Sequence, residues 1–324
     1  MYLTTSPGPV GAPAPAPARR VPLRLSRLVS RTFSGGRPFL PDPLEPSLSR
    51  MQADLVRPYP VEFRPELLER GERNTFIEMT QELLADLPPP VEPLDLVLVA
   101  HTAPDADPRR STSCHLADVL PGAPLAFNLS DQGTAAGFTA LRLVSEYAAA
   151  DAFRHALVVL LDQRTFLYDT AGAHDVPQED CAVALLFGPE DPEDPEDPED
   201  PEDPEDPEGS GGRAGEPVTR QLAGVAPDEV RTTLDALLNE PDGCGVGRPL
   251  TLITGQGLDA ERFGPGIDVR PAPPGRPCTG PWSTLADVLP EFAGDDGPRR
   301  LVVAEYDSTL RYLCVSTLDL EEGT

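Results

Sequence analysis

Apolar positions along this chain fall into two kinds of run, and their spacing separates strands from helices. Leu94-Asp-Leu-Val-Leu-Val-Ala100, residues 155–161 and residues 181–187 are nearly continuous in valine, leucine and alanine, the pattern of strands buried on both faces of a sheet. Phe76, Met79, Leu83, Leu84 and Leu87 recur at helical spacing. Asn74 stands where a cap belongs, Glu78 lies in the first turns and Pro88 follows, so the pattern predicts a helix over 74–87. Val21, Leu23 and Leu25 alternate with Pro22 and Arg24, as an edge strand would. A short helix is expected over 113–120, and residues 126–144 read as a strand, a glycine-flanked turn and a buried helix. Further along, helices are expected over 227–238 and 283–292, and strands over 248–254, 299–305 and 310–317. Buried strands alternating with helices predict an α/β layered fold.

Punctuation divides the chain. Residues 1–20 are rich in proline, alanine and glycine and read as a disordered tail. Between 189 and 215 the chain repeats Pro-Glu-Asp six times and then turns to glycine and serine. Self-repulsion and a proline at every third position predict an extended, solvated insert. It separates an N-terminal half, 21–188, from a shorter C-terminal half, 216–324. The halves echo one another at an offset of 144: Phe138 matches Trp282, Thr139 matches Ser283, Leu141 matches Leu285, Val144 matches Val288, and Leu157-Val-Val159 matches Leu301-Val-Val303. One helix-strand unit is expected to occur twice. Leu116-Ala-Asp-Val-Leu-Pro121 also resembles Leu285-Ala-Asp-Val-Leu-Pro290, but in another register, and is treated as coincidence.

Composition removes several classes of function. A net charge of −28 and the lack of a basic, aromatic-studded patch argue against nucleic acid as a partner. No apolar run approaches the roughly 20 residues that span a bilayer, and no secretory apolar core is present, so a soluble cytoplasmic protein is expected. Cys114, Cys181, Cys244, Cys278 and Cys314 show no C-x-x-C spacing, which suits free thiols in a reducing compartment. His101, His115, His155 and His174 lack the spacing of a metal pair, so no metal is expected.

Chemistry concentrates in Ser130-Asp-Gln-Gly-Thr-Ala-Ala-Gly137, where a strand enters a helix through small residues. The first amides of that helix point at the turn, favouring an anion or a polarised nucleophile, and Thr134 occupies that place. A threonine hydroxyl needs a base beside it, and His101, ending the 94–100 strand, is the candidate histidine. Asp131 and Gln132 either orient a substrate or cap the helix. Asp162, Gln163 and Arg164 end another strand, where α/β folds collect ligands, and a solvated loop accounts for them equally well.

The two α/β halves, the strand ending Val99-Ala-His-Thr-Ala-Pro-Asp105, the turn around Thr134 and the strand 156–161 resemble the thiolase superfamily, within it the ketoacyl carrier protein synthase III branch. The resemblance implies a duplicated five-layer α-β-α-β-α sandwich and a dimer. It also implies a tunnel for an acyl group carried on coenzyme A or on the phosphopantetheine of an acyl carrier protein, with no further cofactor. It further implies a Cys-His-Asn triad, and none of the three is present. The cysteine position falls on Thr134, the histidine position within Thr254-Gly-Gln-Gly257, with Gln256 at its centre, and the asparagine position near Cys278-Thr-Gly280. Condensation needs a thiolate and two hydrogen-bond donors, so three expectations follow. The chain is a non-condensing partner subunit of an active ketosynthase; or it transfers or hydrolyses an acyl group through Thr134 or a relocated Cys278; or it is a scaffold that binds an acyl carrier protein. Gln132, His101, Gln256 and Cys278 are the candidate substrate-binding positions.

Overall fold

The computed structural model describes residues 22–38, 46–58, 61–67, 72–87, 93–150, 153–170, 176–189, 215–239, 248–264, 266–292 and 297–320. The 1–20 tail, the body of the acidic insert, His174 and Cys244 lie outside them. Ten strands form two five-stranded sheets of the same design. In the first, the order is β1 (Arg24–Phe33), β5 (Asp180–Gly188), β4 (Ala156–Asp162), β2 (Leu96–His101), β3 (Leu125–Leu129). In the second it is β6 (Val218–Ala223), β10 (Tyr312–Leu320), β9 (Arg299–Asp307), β7 (Leu250–Thr254), β8 (Asp268–Pro271). The central strand of each sheet runs parallel to its inner neighbour and antiparallel to the next, β4 to β2 and β5, β9 to β7 and β10.

The offset of 144 is therefore structural. It places α4 (Ala136–Ala150) over α6 (Gly280–Val288), and β4 over β9. The second similarity pairs α3 (Thr112–Val119) with α6, which hold different places in the two halves. Between the sheets, Phe138 of α4 and Trp282 of α6 meet with ring centroids 5.0 Å apart, so the two repeat-related aromatics pack on each other. A Cβ on Gly137 would come within 2.5 Å of Trp282 Nε1, which is why that helical position is glycine.

Strand alternation builds the layers. Leu96, Leu98 and Ala100 join Val158, Leu160, Leu301 and Val303 in the central core around α4 and α6. Val97, Val99 and Val159 turn outward onto Phe76, Met79 and Leu83 of α2 (Phe76–Leu84) and Leu116 of α3. Leu252, Val302 and Ala304 turn onto Val230 and Leu234 of α5 (Val230–Leu238). The result is helix, sheet, helix, sheet, helix. The C-terminal half keeps all five strands; the place of α3 is taken by a single 3-10 turn, Ala260–Arg262.

Local boundaries differ from the sequence expectation by a few residues, and at three of them the physical reason is plain. Thr75, not Asn74, caps α2, its hydroxyl accepting the Glu78 amide while Glu78 reaches back, because Asn74 is committed to Asp180 at 2.7 Å. The early strand runs on to Phe33, since pairing with β5 leaves its other edge open to solvent and arginines are tolerated there. The helix expected over 283–292 starts at Gly280, with a proline accepted in its first turn, and tightens into 3-10 geometry at Leu289–Phe292 around Pro290.

Candidate functional site at the junction of the two halves

The turn Gly133–Ala135 is a 3-10 turn leading straight into α4. Thr134 is buried there, and its partner is not a histidine. The carboxylate of Asp307, at the end of β9 in the other half, accepts the Thr134 amide at 3.0 Å and the Thr134 hydroxyl at 3.4 Å through Oδ2. Oδ1 accepts the amides of Thr309 and Leu310 at 3.0 and 2.7 Å. Gly133 takes φ +52°, and a Cβ on it would collide with Asp307 Oδ2, so glycine is required both for the backbone and for the approach of the carboxylate. The anion expected at this helix start is thus supplied by the protein itself.

The other half mirrors this arrangement. Asp162, at the end of β4, accepts the Cys278 amide at 3.2 and 3.1 Å, the Thr279 amide at 2.8 Å and the Thr279 hydroxyl at 2.7 Å, just before α6. Each central strand thus ends in an aspartate that holds the start of the opposite central helix. Burial lifts the Asp162 carboxyl to about 6, against hydrogen bonds from Thr279 and Cys278 that favour the anion.

The expected site residues gather unequally around this junction. Cys278 is 1% exposed, its thiol donates to the Ala100 carbonyl at 3.5 Å, and burial raises its pKa well above the usual range, so it packs as a protonated core thiol. His101 packs against the Phe76 ring at 5.1 Å, and burial lowers its pKa despite the charge of Asp131 nearby; among the described residues it makes no hydrogen bond to Thr134. Gln132 is half-buried and makes no capping bond, and Asp131, with φ +59°, is exposed and accepts the Ser130 hydroxyl. Neither caps α4; Asp307 holds the helix start instead. Gln163 ties the loop after β2 to the start of α2, bonding the Ala106 amide and the Asn74 carbonyl. Gln256 lies in the turn after β7, where Glu305 accepts the next amide, that of Gly257, at 2.9 Å.

Asp307 and Glu305 escaped the sequence reading. An acidic residue ending an apolar strand is the available signal, the same one that marks Asp162. Among the described residues, no cluster of three His, Cys, Asp or Glu side chains is arranged to hold a metal, and no helix is long and apolar enough to cross a membrane.

No protein-family model and no curated protein matches the sequence. Solved structures match along nearly the whole chain. AbyA1, a tetronic acid condensing enzyme, aligns at 18% identity over 93% of this chain and 100% of its own, with a TM-score of 0.57. ChlB3, an acyltransferase, aligns at 15% identity over 93% and 98%, with a TM-score of 0.55. The 3-oxoacyl-[acyl-carrier-protein] synthase III of Aquifex aeolicus aligns at 13% identity over 91% and 99%, with a TM-score of 0.53. Together with the doubled sheet topology, these matches give the chain the thiolase-like fold of the ketoacyl carrier protein synthase III type of condensing enzyme.

Proposed function

We propose that this chain is a ketosynthase-fold protein that does not condense, and that it serves as a partner subunit of an active ketosynthase in an acyl-thioester pathway, with coenzyme A or an acyl carrier protein presenting the acyl group. The observation that carries this reading is Asp307 on Thr134. The turn that would present a thiolate presents a hydroxyl, and a carboxylate already occupies the helix start that would stabilise developing negative charge. The buried strands around the turn are intact, which fits a protein kept for its shape. The edge strand β3, with Leu125 46% exposed and Val119 of the adjoining α3 53% exposed, offers unpaired backbone and apolar surface to a second subunit. Co-expression with a ketosynthase-fold protein that keeps its cysteine, followed by tag purification, tests the proposal. A stable heterodimer is expected, and a clean homodimer in the presence of that protein would refute it.

A second reading is favoured by the same contact. Asp307 Oδ2 lies 3.4 Å from Thr134 Oγ1, the base that a hydroxyl nucleophile needs. In an acyl transfer Asp307 would take the hydroxyl proton as Oγ1 attacks the thioester carbonyl, and return it to the departing thiolate as the C–S bond breaks. Against it stands the commitment of the same carboxylate to three backbone amides. Intact-mass analysis after incubation with acetyl-coenzyme A decides: an acetyl adduct abolished by Thr134→Ala supports transfer, and no adduct removes it.

A further inference from the structure

The two halves meet as the two subunits of a symmetric dimer would. Phe138 and Trp282, equivalent positions of the repeat, pack on each other with ring centroids 5.0 Å apart. The buried polar contacts on either side are reciprocal. Asp162 of the N-terminal half holds Cys278 and Thr279 of the C-terminal half, and Asp307 of the C-terminal half holds Thr134 of the N-terminal half. The same contact made in both directions is the mark of an isologous, two-fold interface. At the margin, Gln221 of β6 bonds Arg142 at 2.8 Å and Thr139 at 2.9 Å, both on α4, while Arg276 bonds Glu179 at 2.7 Å and the Gly275 carbonyl accepts the Gln178 amide at 2.9 Å.

Each half is complete on its own side of that interface. One five-stranded sheet is built from strands within residues 24–188 and the other from strands within 218–320, and among the described residues no strand of one half pairs with a strand of the other. Each sheet also carries its own outer core, Val97 and Val159 on Met79 and Leu83 in one, Leu252 and Val302 on Val230 and Leu234 in the other. Only the middle layer is shared, where Leu98 and Leu160 lie in one core with Leu285, Leu301 and Val303. The chain passes from one sheet to the other once, between Gly188 and Val218, through the segment that repeats Pro-Glu-Asp.

We propose that the inner face of the N-terminal half is a docking surface for the C-terminal half in its own right, so that the protein persists as a two-chain complex when the connection between them is cut. The surface is of the obligate kind, apolar at its centre with a paired aromatic anchor and a bonded polar margin. Joining two partners by a linker gives each an effective concentration of order millimolar. Cutting the linker leaves only the protein's own concentration, about a thousandfold lower at a micromolar. A shared apolar layer closed by two buried carboxylates, each holding the start of a helix in the other half, is an interface that withstands that dilution. The docking is the same whichever way Thr134 is used.

A cleavage site for a sequence-specific protease, placed between Asp200 and Pro201 of the full chain and cut after folding, tests this. A denaturing gel is expected to show two fragments, and size-exclusion chromatography at about 1 μM a single peak at the elution volume of the uncut chain. Urea unfolding of the cut protein should shift with protein concentration, as for any pair that dissociates, and that of the uncut chain should not. Trp282→Leu should raise the concentration at which the cut protein comes apart by at least about tenfold and leave the uncut chain a single species. Fragments that separate or aggregate on cutting overturn the proposal, as does a chain that resists cleavage, because its connection would then belong to the packed structure. An unfolding midpoint of the cut protein that ignores concentration, or a cut Trp282→Leu protein that holds together like the wild type, overturns it too.

Discussion

Replacing Asp162 by alanine probes the bond between the halves and has a magnitude and a pH dependence that follow from the structure. The change strands the amides of Cys278 and Thr279 and the Thr279 hydroxyl, in residues that are 1% and 0% exposed and out of reach of water. Each buried donor left alone costs about 1–3 kcal/mol, roughly 6 kcal/mol for the three. Against this, the wild-type chain bears a buried charge whose pKa has risen from 3.8 to about 6, worth about 3 kcal/mol at neutral pH. The net expected loss at pH 7 is about 3 kcal/mol. Because the folded pKa is raised, stability from this group is full below the unfolded value and is lost as the pH rises through about 6. Between pH 7 and pH 5 the wild-type chain therefore regains about 1 kcal/mol that alanine cannot, and the gap widens on acidification. Urea unfolding followed by the fluorescence of Trp282, the single tryptophan, measures it at both pH values. A loss under about 0.5 kcal/mol, or a gap that narrows at pH 5, would refute the reasoning.

Three further outcomes are expected. Gly133→Ala meets both a left-handed φ and Asp307 Oδ2, and should lower unfolding stability by about 2–4 kcal/mol; combined with Asp307→Ala the two losses should sum to less than their separate values, because the collision is gone. Trp282→Ala removes the aromatic contact between the central helices and should cost about 3–5 kcal/mol by chemical denaturation, whereas full stability would show that α4 and α6 do not share one core. Iodoacetamide on the native chain should label exposed Cys114 and spare Cys181, Cys278 and Cys314 until urea is added, since burial raises all three thiols, Cys314 to about 12; peptide mapping reads the result, and early labelling of Cys278 would contradict its placement.

Much of the scaffold was legible from residues alone because its signals are local. Runs such as 96–100 and 156–161 are apolar at every position, which only a strand covered on both faces requires, and the 144-residue offset survives in Phe138 and Trp282 because both halves fill the same middle layer. The Thr134 turn was found for the same reason: small residues between a strand and a helix mark a backbone that bends sharply. Asn and Thr both suit a cap position, and it is a distant acid, Asp180, engaging Asn74 that leaves the role to Thr75.

The chain by itself determined the alternation of elements, the duplication and which residues stand in the turns after the strands, Thr134, Gln256 and Cys278 among them. Tertiary structure alone decided what those residues meet. The partners of Thr134 and Cys278 lie 173 and 116 residues away along the chain, and Glu305 meets its glycine turn across 48. A hydrogen bond depends on distance in space, and no periodicity or propensity carries that information across a sheet and into the opposite half; only the closure of two sheets on one pair of helices brings those carboxyls to those helix starts.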